Sequence, residues 1–196
     1  MMRPGRAVAE RAPAGRRIEA PGLEIVEREP IACVNLRGDP QDARFMRAVA
    51  AVTDVAPPVA ACATVSGLFG SILWLGPDEW LVVSESQVGA EIVVRLRQAL
   101  AGIASAVTDV SDARIVFALA GEHARAVLAK GCSIDLHARE FPPGRCVQTL
   151  LAKTAVLLHA RRTEAFEIHV ARSFADYTWA WLENAQAEFA SGAGVS

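Results

Sequence analysis

Residues 71–84 have the sequence SILWLGPDEWLVVS, in which two apolar runs flank a short GPDE segment. Glycine, proline and aspartate favour turns, so this stretch is predicted to form a β-hairpin. A second pair of strand-like runs, Ala155–Ala160 and Phe166–Val170, follows roughly 85 residues later and flanks another polar segment. Two similar hairpins at this separation indicate an internal repeat.

The elements around the two hairpins also correspond. Each hairpin is preceded by two strand-like runs, a helical segment and a short strand, and is followed by a second helix. We therefore predict two repeats of order β-β-α-β-β-β-α, at about 21–103 and 104–190. The opening runs are Leu23–Glu27 and Ile31–Leu36 in the first repeat, and Ala106–Val110 and Arg114–Leu119 in the second.

One such repeat would expose a large apolar sheet face. The two repeats are therefore expected to share one core and to form a single α+β module over residues 21–190, with mainly antiparallel sheet and helices packed on it. The spacing of the runs leaves open whether the opening strands are exchanged between the repeats.

Two helix ends carry specific signals. The segment Asp39-Pro40-Gln41-Asp42 is typical of a helix start, with Asp39 as N-cap and proline at the first helical position. In the second repeat a helix from Glu122 to Lys130 is followed by Gly131, which is predicted to adopt the left-handed conformation that ends many helices.

The two ends of the chain lack these patterns. Residues 1–20 contain five arginines but no apolar run of the kind that a secretory signal needs. We expect a disordered leader over 1–20, with a subunit-docking arm as the alternative, and a flexible tail over 191–196.

The bulk composition excludes several classes of protein. The formal net charge of -2 gives no reason to expect nucleic acid or an anionic membrane as a partner. No stretch approaches the ~20 apolar residues of a membrane helix. A hydrophobic content of 52% supplies a sizeable core for 196 residues.

The cysteines and histidines carry no evident metal-binding pattern. None of the four cysteines lies in a C-x-x-C pair, and no histidines follow them at zinc-finger spacing. Without an export signal we expect reduced cysteines and a cytoplasmic protein. His159 and His169 lie on predicted strands, and Glu167 and His169 alternate with apolar residues of a half-buried strand, so both histidines are expected to be solvated.

A loop in the second repeat contains the candidate functional residues. Asp135, His137, Arg139 and Arg145 could bind a partner surface or a carboxylate, but charge-assisted hydrogen bonds that hold the loop are the favoured interpretation. His137 could act as an acid or base near neutral pH, yet the sequence shows no second catalytic partner.

Three apolar positions could form an interface or belong to the core. Phe141, Trp179 and the pair Leu68-Phe69 are candidates for an exposed apolar patch that meets other proteins. No glycine-rich dinucleotide fingerprint opens a βαβ unit, so flavin or NAD binding by this chain is unsupported. We identify no catalytic, cofactor-binding or metal-ligating residue.

Four strings of the second repeat are distinctive: DVSDAR at 109–114, VLAKGC at 127–132, FPPGRC at 141–146 and RSFADY at 172–177. Together they resemble the gamma subunit of heterotetrameric sarcosine oxidase, over roughly residues 20–190. The segment LGPDEW at 75–80 is similar to one in that subunit and in the glycine-cleavage T-protein family.

The resemblance implies both a fold and a role. The implied fold is the folate-binding domain of the T-protein family, a duplicated β-β-α-β-β-β-α unit with exchanged opening strands. The implied role is that of a non-catalytic gamma subunit beside alpha, beta and delta subunits. In that complex the larger subunits bind FAD, FMN and NAD and oxidise the N-methyl group of sarcosine, forming glycine, hydrogen peroxide and a one-carbon unit passed to tetrahydrofolate.

Two other functions stay open at this point. One is a stand-alone tetrahydrofolate-binding or aminomethyltransferase-like protein, and the other is the equivalent subunit of another N-methyl amino acid dehydrogenase. A folate-linked relative of the T-protein has a Lys-Gly-Cys-Tyr-x-Gly-Gln-Glu motif, whereas Lys130-Gly131-Cys132 is followed here by Ser133. That difference weakens the case for folate binding.

Overall fold

The structure, a computed structural model, describes residues 15–190. Its strands are β1 (Arg17–Ala20), β2 (Leu23–Glu27), β3 (Ala32–Gly38), β4 (Thr64–Ser66), β5 (Ser71–Gly76), β6 (Glu79–Ser84), β7 (Ser105–Asp109), β8 (Arg114–Ala120), β9 (Arg145–Leu151), β10 (Thr154–Arg162) and β11 (Ala165–Ala171). Its helices are α1 (Ala43–Thr53), α2 (Gly89–Ala99), α3 (Ala124–Ala129) and α4 (Ala175–Ala190), with short 3-10 turns at Ser111–Ala113 and Arg172–Phe174.

The strands form two antiparallel sheets. Sheet A has the order β1-β2-β8-β11-β10-β9, and sheet B has the order β4-β5-β6-β3-β7. Apart from β1, the elements follow β-β-α-β-β-β-α twice, from β2 to α2 and from β7 to α4. This confirms the predicted fold class.

The opening strands of the two repeats are exchanged. Strand β2 of the first repeat pairs with β8 in sheet A, whereas β7 of the second repeat pairs with β3 in sheet B. Each sheet therefore takes strands from both repeats, and neither sheet can be completed by one repeat alone.

Helices cover one face of each sheet. Helices α1 and α2 pack on sheet B around the fully buried Phe45, Trp80 and Leu96. Helices α3 and α4 pack on sheet A around Phe117 and Leu182. None of the helices within residues 15–190 is long and apolar enough to cross a membrane.

The opposite faces of the two sheets pack against each other. Leu73 and Leu81 of sheet B join Leu157 of sheet A in a third apolar cluster, which also contains the buried Cys33 and Cys146. The molecule is thus a four-layer arrangement of helices, sheet, sheet and helices, in which the inner faces of the sheets meet around this cluster.

The expected disorder over residues 1–20 is wrong for the end of that segment. Arg17–Ala20 forms β1, which pairs antiparallel with β2. Ile18 and Ala20 pack against the core of sheet A. Apolar and polar residues alternate in this strand, as in other strands with one buried face, but the strand is short and follows several arginines, so it was not predicted. Residues 1–14 and 191–196 lie outside the described residues.

The predicted start of α1 at Asp39 is also wrong. The N-cap is Asp42, whose carboxylate accepts a hydrogen bond from the Arg44 backbone N–H at 2.8 Å. Hydrogen bonds from Arg44 lower the pKa of Asp42 to about 2. Asp39 instead accepts from the Gln41 backbone N–H at 2.8 Å and stabilises the turn before the helix.

Gly131 is required by packing and not by backbone conformation. The backbone φ angle of Gly131 is not positive, so the predicted left-handed helix end is wrong. A Cβ atom at this position would lie 2.4 Å from Cζ2 of Trp181. The absence of a side chain allows the indole ring of α4 to approach the end of α3.

We expect Gly131→Ala to lower the free energy of unfolding by about 1–3 kcal/mol, because the methyl group must displace the indole ring. Chemical denaturation of the full chain measures this change. Gly76→Ala is the matched control, since its Cβ would lie 3.7 Å from the nearest atom, in Glu79. An equal loss of stability in both variants would contradict the steric explanation.

Candidate functional site

The loop between α3 and β9 contains three of the charged candidates. The Asp135 carboxylate accepts from the His137 backbone N–H at 2.7 Å, and His137 Nδ1 accepts from the Arg139 backbone N–H at 3.2 Å. All three residues are exposed. Asp135 and His137 also line an open groove of about 620 Å³ beside α3. The arrangement holds successive turns of the loop, and whether it also meets a partner stays a prediction.

Arg145 lies apart from these turns, at the start of β9. Its guanidinium donates to the carbonyl of Ala61 at 3.4 Å. The neighbouring Cys146 N–H donates to the carbonyl of Cys62 at 2.9 Å. The start of β9 therefore joins the second repeat to the segment that precedes β4 in the first.

Phe141 and Trp179 belong to the core, so the alternative that they form an exposed patch is wrong. They are only 4% and 7% exposed. The Phe141 ring stacks on Phe166 with centroids 6.4 Å apart, and Trp179 Nε1 donates to Glu183 at 2.8 Å. Leu68, in contrast, is 99% exposed.

Arg125 organises the candidate loop and was missed in the sequence. Its guanidinium donates to the carbonyl oxygens of Leu136, Phe141 and Thr163. It also lies 4.8 Å from the centroid of the Phe166 ring. Burial lowers the pKa of Arg125 from its ordinary value. One cation on α3 thus satisfies three backbone acceptors, a role that depends on tertiary contacts and has no local sequence signal.

Arg125→Met is expected to destabilise the chain by about 1–3 kcal/mol, because the carbonyl oxygens lose a charged donor while the aliphatic volume is kept. Thermal unfolding followed by circular dichroism measures the loss. Arg139→Met is the control in the same loop, because its guanidinium makes no hydrogen bond or ion pair with residues 15–190. A similar loss in the control would refute a specific role for Arg125.

A second group of polar side chains lies between the two sheets. His159 on β10 is the direct cross-strand neighbour of Glu167 on β11. His169 also lies on β11, two residues after Glu167. The apolar residues that alternate with them face the helices. His159, Glu167 and His169 therefore face the layer between the sheets, and they are 2%, 3% and 0% exposed.

The two oxygens of Glu167 have different neighbours. Oε1 accepts from Arg161 at 3.0 Å and from Arg28 at 3.4 Å. Oε2 lies 3.3 Å from Nδ1 of His159 and 3.8 Å from Nε2 of His169. The carboxylate thus directs one oxygen to two cations and the other to two imidazoles.

The buried charge is compensated locally. Burial disfavours the Glu167 carboxylate, but the imidazoles of His159 and His169 and the Arg161 charge outweigh that effect and place its pKa well below the ordinary value. Burial lowers the pKa of His169, which favours its neutral form. Arg28 also pairs with Glu85 at 2.7 Å, beyond the end of β6.

The expectation that His159 and His169 are solvated is wrong. It assumed one wet sheet face, whereas sheet B covers that face of sheet A. A signal for this was present in the sequence, because Val156–Ala160 is a run of apolar residues interrupted only by His159. All five positions are buried, as is typical of a strand covered on both faces.

The buried cysteines are not activated for nucleophilic chemistry. All four cysteines are free. Burial raises the pKa of Cys33 and Cys146 to about 12 and that of Cys132 to about 11. These three thiols are therefore protonated near neutral pH and serve as small apolar groups.

The class of protein follows from the duplicated fold with exchanged strands. The crystal structure of glycine cleavage system aminomethyltransferase T from Bartonella henselae has the same fold, with a TM-score of 0.61 and 16% identity over 82% of this chain and 45% of that one. A model of the sarcosine oxidase gamma subunit family matches residues 37–188. The chain belongs to this family, and the resemblance seen in the sequence is confirmed.

Individual relatives agree with this assignment. The sarcosine oxidase subunit gamma of Corynebacterium sp. strain U-96 is 37% identical over 145 residues, which are 74% of this chain and 70% of the relative. The subunit of strain P-1 is 40% identical over 121 residues, or 62% of this chain and 59% of the relative.

A solved structure extends the similarity to the whole fold. A chain of the heterotetrameric sarcosine oxidase from Corynebacterium sp. U-96, in complex with pyrrole 2-carboxylate, has a TM-score of 0.82 and 33% identity to this chain. The match covers 91% of this chain and 90% of that one.

Proposed function

We propose that the chain is the gamma subunit of a heterotetrameric sarcosine oxidase and supports the assembly without contributing catalytic residues. The match to the oxidase chain over 91% and 90% of the two chains carries this proposal. The three buried, protonated cysteines and the enclosed side chains of His159 and His169 are consistent with a supporting role, since a catalytic group must reach its substrate.

The partners in this proposal are alpha, beta and delta subunits in the cytoplasm. The larger subunits hold FAD, FMN and NAD and oxidise the N-methyl group of sarcosine, and tetrahydrofolate accepts the one-carbon unit. Assays with a panel of N-methyl amino acids would identify the substrate of the assembly and separate this role from that of a related dehydrogenase.

Co-expression with and without this chain tests the proposal. We expect the purified chain to show no flavin absorbance and no sarcosine-dependent peroxide, and to co-purify with the flavin-containing subunits. Omission of the chain is expected to reduce the yield of active assembly. Full, stable oxidase activity in its absence would overturn the supporting role.

The turn between β4 and β5 is our candidate for a contact with a larger subunit. Leu68 is 99% exposed at this turn. Its backbone is nevertheless fixed, because the Asp54 carboxylate accepts from the N–H groups of Leu68 at 2.8 Å and Phe69 at 3.3 Å. A leucine presented on a fixed turn loses little conformational freedom when a partner covers it.

Leu68→Ser is expected to weaken association with the other subunits at least about tenfold and to leave the melting temperature of the chain unchanged. Full burial of a leucine contributes about 1.5–3 kcal/mol, and 1.4 kcal/mol corresponds to about tenfold in affinity. Pull-down titration measures the change. Val94→Ser, at a position 54% exposed on α2, is the control and is expected to bind normally. Normal assembly of Leu68→Ser would exclude this turn as a contact.

Tetrahydrofolate binding by the chain itself is a second candidate function. An open pocket of about 740 Å³ is lined by Arg114, Gln148 and His169 among others. A guanidinium in such a pocket is suited to a carboxylate of the folate tail. Calorimetry of the isolated chain with tetrahydrofolate decides the matter, because absence of binding eliminates this function.

A further inference from the structure

We propose that His159, Glu167 and His169 form a binding site for one divalent transition-metal ion, with Zn²⁺ as the best-suited ion. Two imidazole nitrogens and one carboxylate oxygen are a ligand set that Zn²⁺ commonly takes. The site is separate from the candidate loop and from the proposed subunit contact.

The three ligand atoms are close enough to share one ion. Among residues 15–190, the histidine, cysteine and acidic side chains that are grouped closely enough to hold a metal ion are those of His159, Glu167 and His169. Their three ligand atoms all lie within 4.8 Å of one another. Two of the separations are 3.3 Å and 3.8 Å. Ligand atoms about 2.0–2.2 Å from a tetrahedral ion lie roughly 3.3–3.6 Å apart. The ligand atoms that are farthest apart, within 4.8 Å of each other, would therefore have to approach by up to roughly 1.5 Å to complete the geometry.

The surroundings of Glu167 orient the carboxylate for such an ion. Oε1 is held by Arg161 at 3.0 Å and by Arg28 at 3.4 Å, which leaves Oε2 to face the imidazoles. Hydrogen bonds that hold the outer oxygen of a ligating carboxylate are typical of metal sites. Glu85 pairs with both guanidinium groups, at 2.7 Å and 3.5 Å, and offsets part of their charge.

The buried His169 ring is the observation that points to a ligand at this position. Its side chain is completely buried, and neither ring nitrogen has a hydrogen-bond partner among residues 15–190. Leaving buried polar atoms without partners is costly. A purely structural ion-pair network satisfies Glu167 through the two arginines but gives neither nitrogen of His169 a hydrogen bond within residues 15–190, since Nε2 lies 3.8 Å from Oε2 of Glu167. An ion coordinated by Nε2 removes part of that cost.

The position of the site determines what the ion can do. All three ligands come from the adjacent strands β10 and β11, so the ion would fix their pairing at the centre of sheet A. The three ligand residues are at most 3% exposed, so the ion would be enclosed, although His169 also lines the open pocket of about 740 Å³. The site is therefore expected to stabilise the chain, because an ion that binds the folded form alone raises its stability.

Metal titration of the full chain, purified without a histidine tag and stripped by a chelator, tests the site. We expect one equivalent of Co²⁺ to produce the intense visible absorption of a low-symmetry site, and Zn²⁺ to displace it. The melting temperature is expected to rise with Zn²⁺. Failure of the stripped wild-type chain to bind either ion at millimolar concentration would overturn the proposal.

Matched variants connect the binding to these residues. His169→Asn and Glu167→Gln are each expected to weaken Zn²⁺ binding at least tenfold and to abolish the metal-dependent rise in melting temperature. His123→Asn is the control, because this partly exposed histidine stacks on Phe189 and lies outside the cluster. Circular dichroism verifies folding, and Glu167→Gln decides the test if His169→Asn does not fold. Wild-type affinity in a folded variant of either ligand would refute the site.

Discussion

The packing of two sheets back to back is the constraint on which the rest of this structure depends. Leu73 and Leu81 of one sheet meet Leu157 of the other, while helices cover the outer faces. Because β2 and β7 are exchanged between the sheets, both repeats must fold together before either sheet is complete. The duplication therefore produces one cooperative body instead of two tandem units, since each repeat lacks a strand that only its counterpart supplies.

This packing changes the environment of every polar residue on the inner faces. A strand with alternating apolar and polar residues is normally wet on the polar side, but here the second sheet replaces the water. Glu167 and His169 are consequently buried together with their alternating apolar neighbours. Such groups need partners inside the protein, and Arg28, Arg161 and His159 supply them for Glu167. His169 is the exception, because neither ring nitrogen has a hydrogen-bond partner among residues 15–190, and Nε2 lies 3.8 Å from Oε2 of Glu167.

The order of the elements could be predicted from the sequence because it rests on local patterns. The predicted strand Leu23–Glu27 matches β2 at both ends, and the hairpins of both repeats lie where the apolar runs placed them. Features that rest on distant contacts could not be predicted in this way. The need for Gly131 arises from Trp181, and the role of Arg125 arises from carbonyl groups up to 38 residues away. Charged loop residues were recognisable by type, but their bonding was not.

The distribution of polar groups bears on whether this subunit acts on a substrate. The residues with catalytic side-chain chemistry divide into an exposed set, such as His137, and an enclosed set, such as His169. The exposed set makes hydrogen bonds to its own loop, whereas the enclosed set has almost no solvent-exposed surface, although His169 also lines the open pocket of about 740 Å³. The ring of His169 has no exposed surface, so a molecule that enters the open pocket beside it would reach the ring only if neighbouring side chains moved. The same packing that creates the polar cluster therefore keeps its side chains out of contact with solvent, which supports the proposal that the subunit contributes through its outer surface.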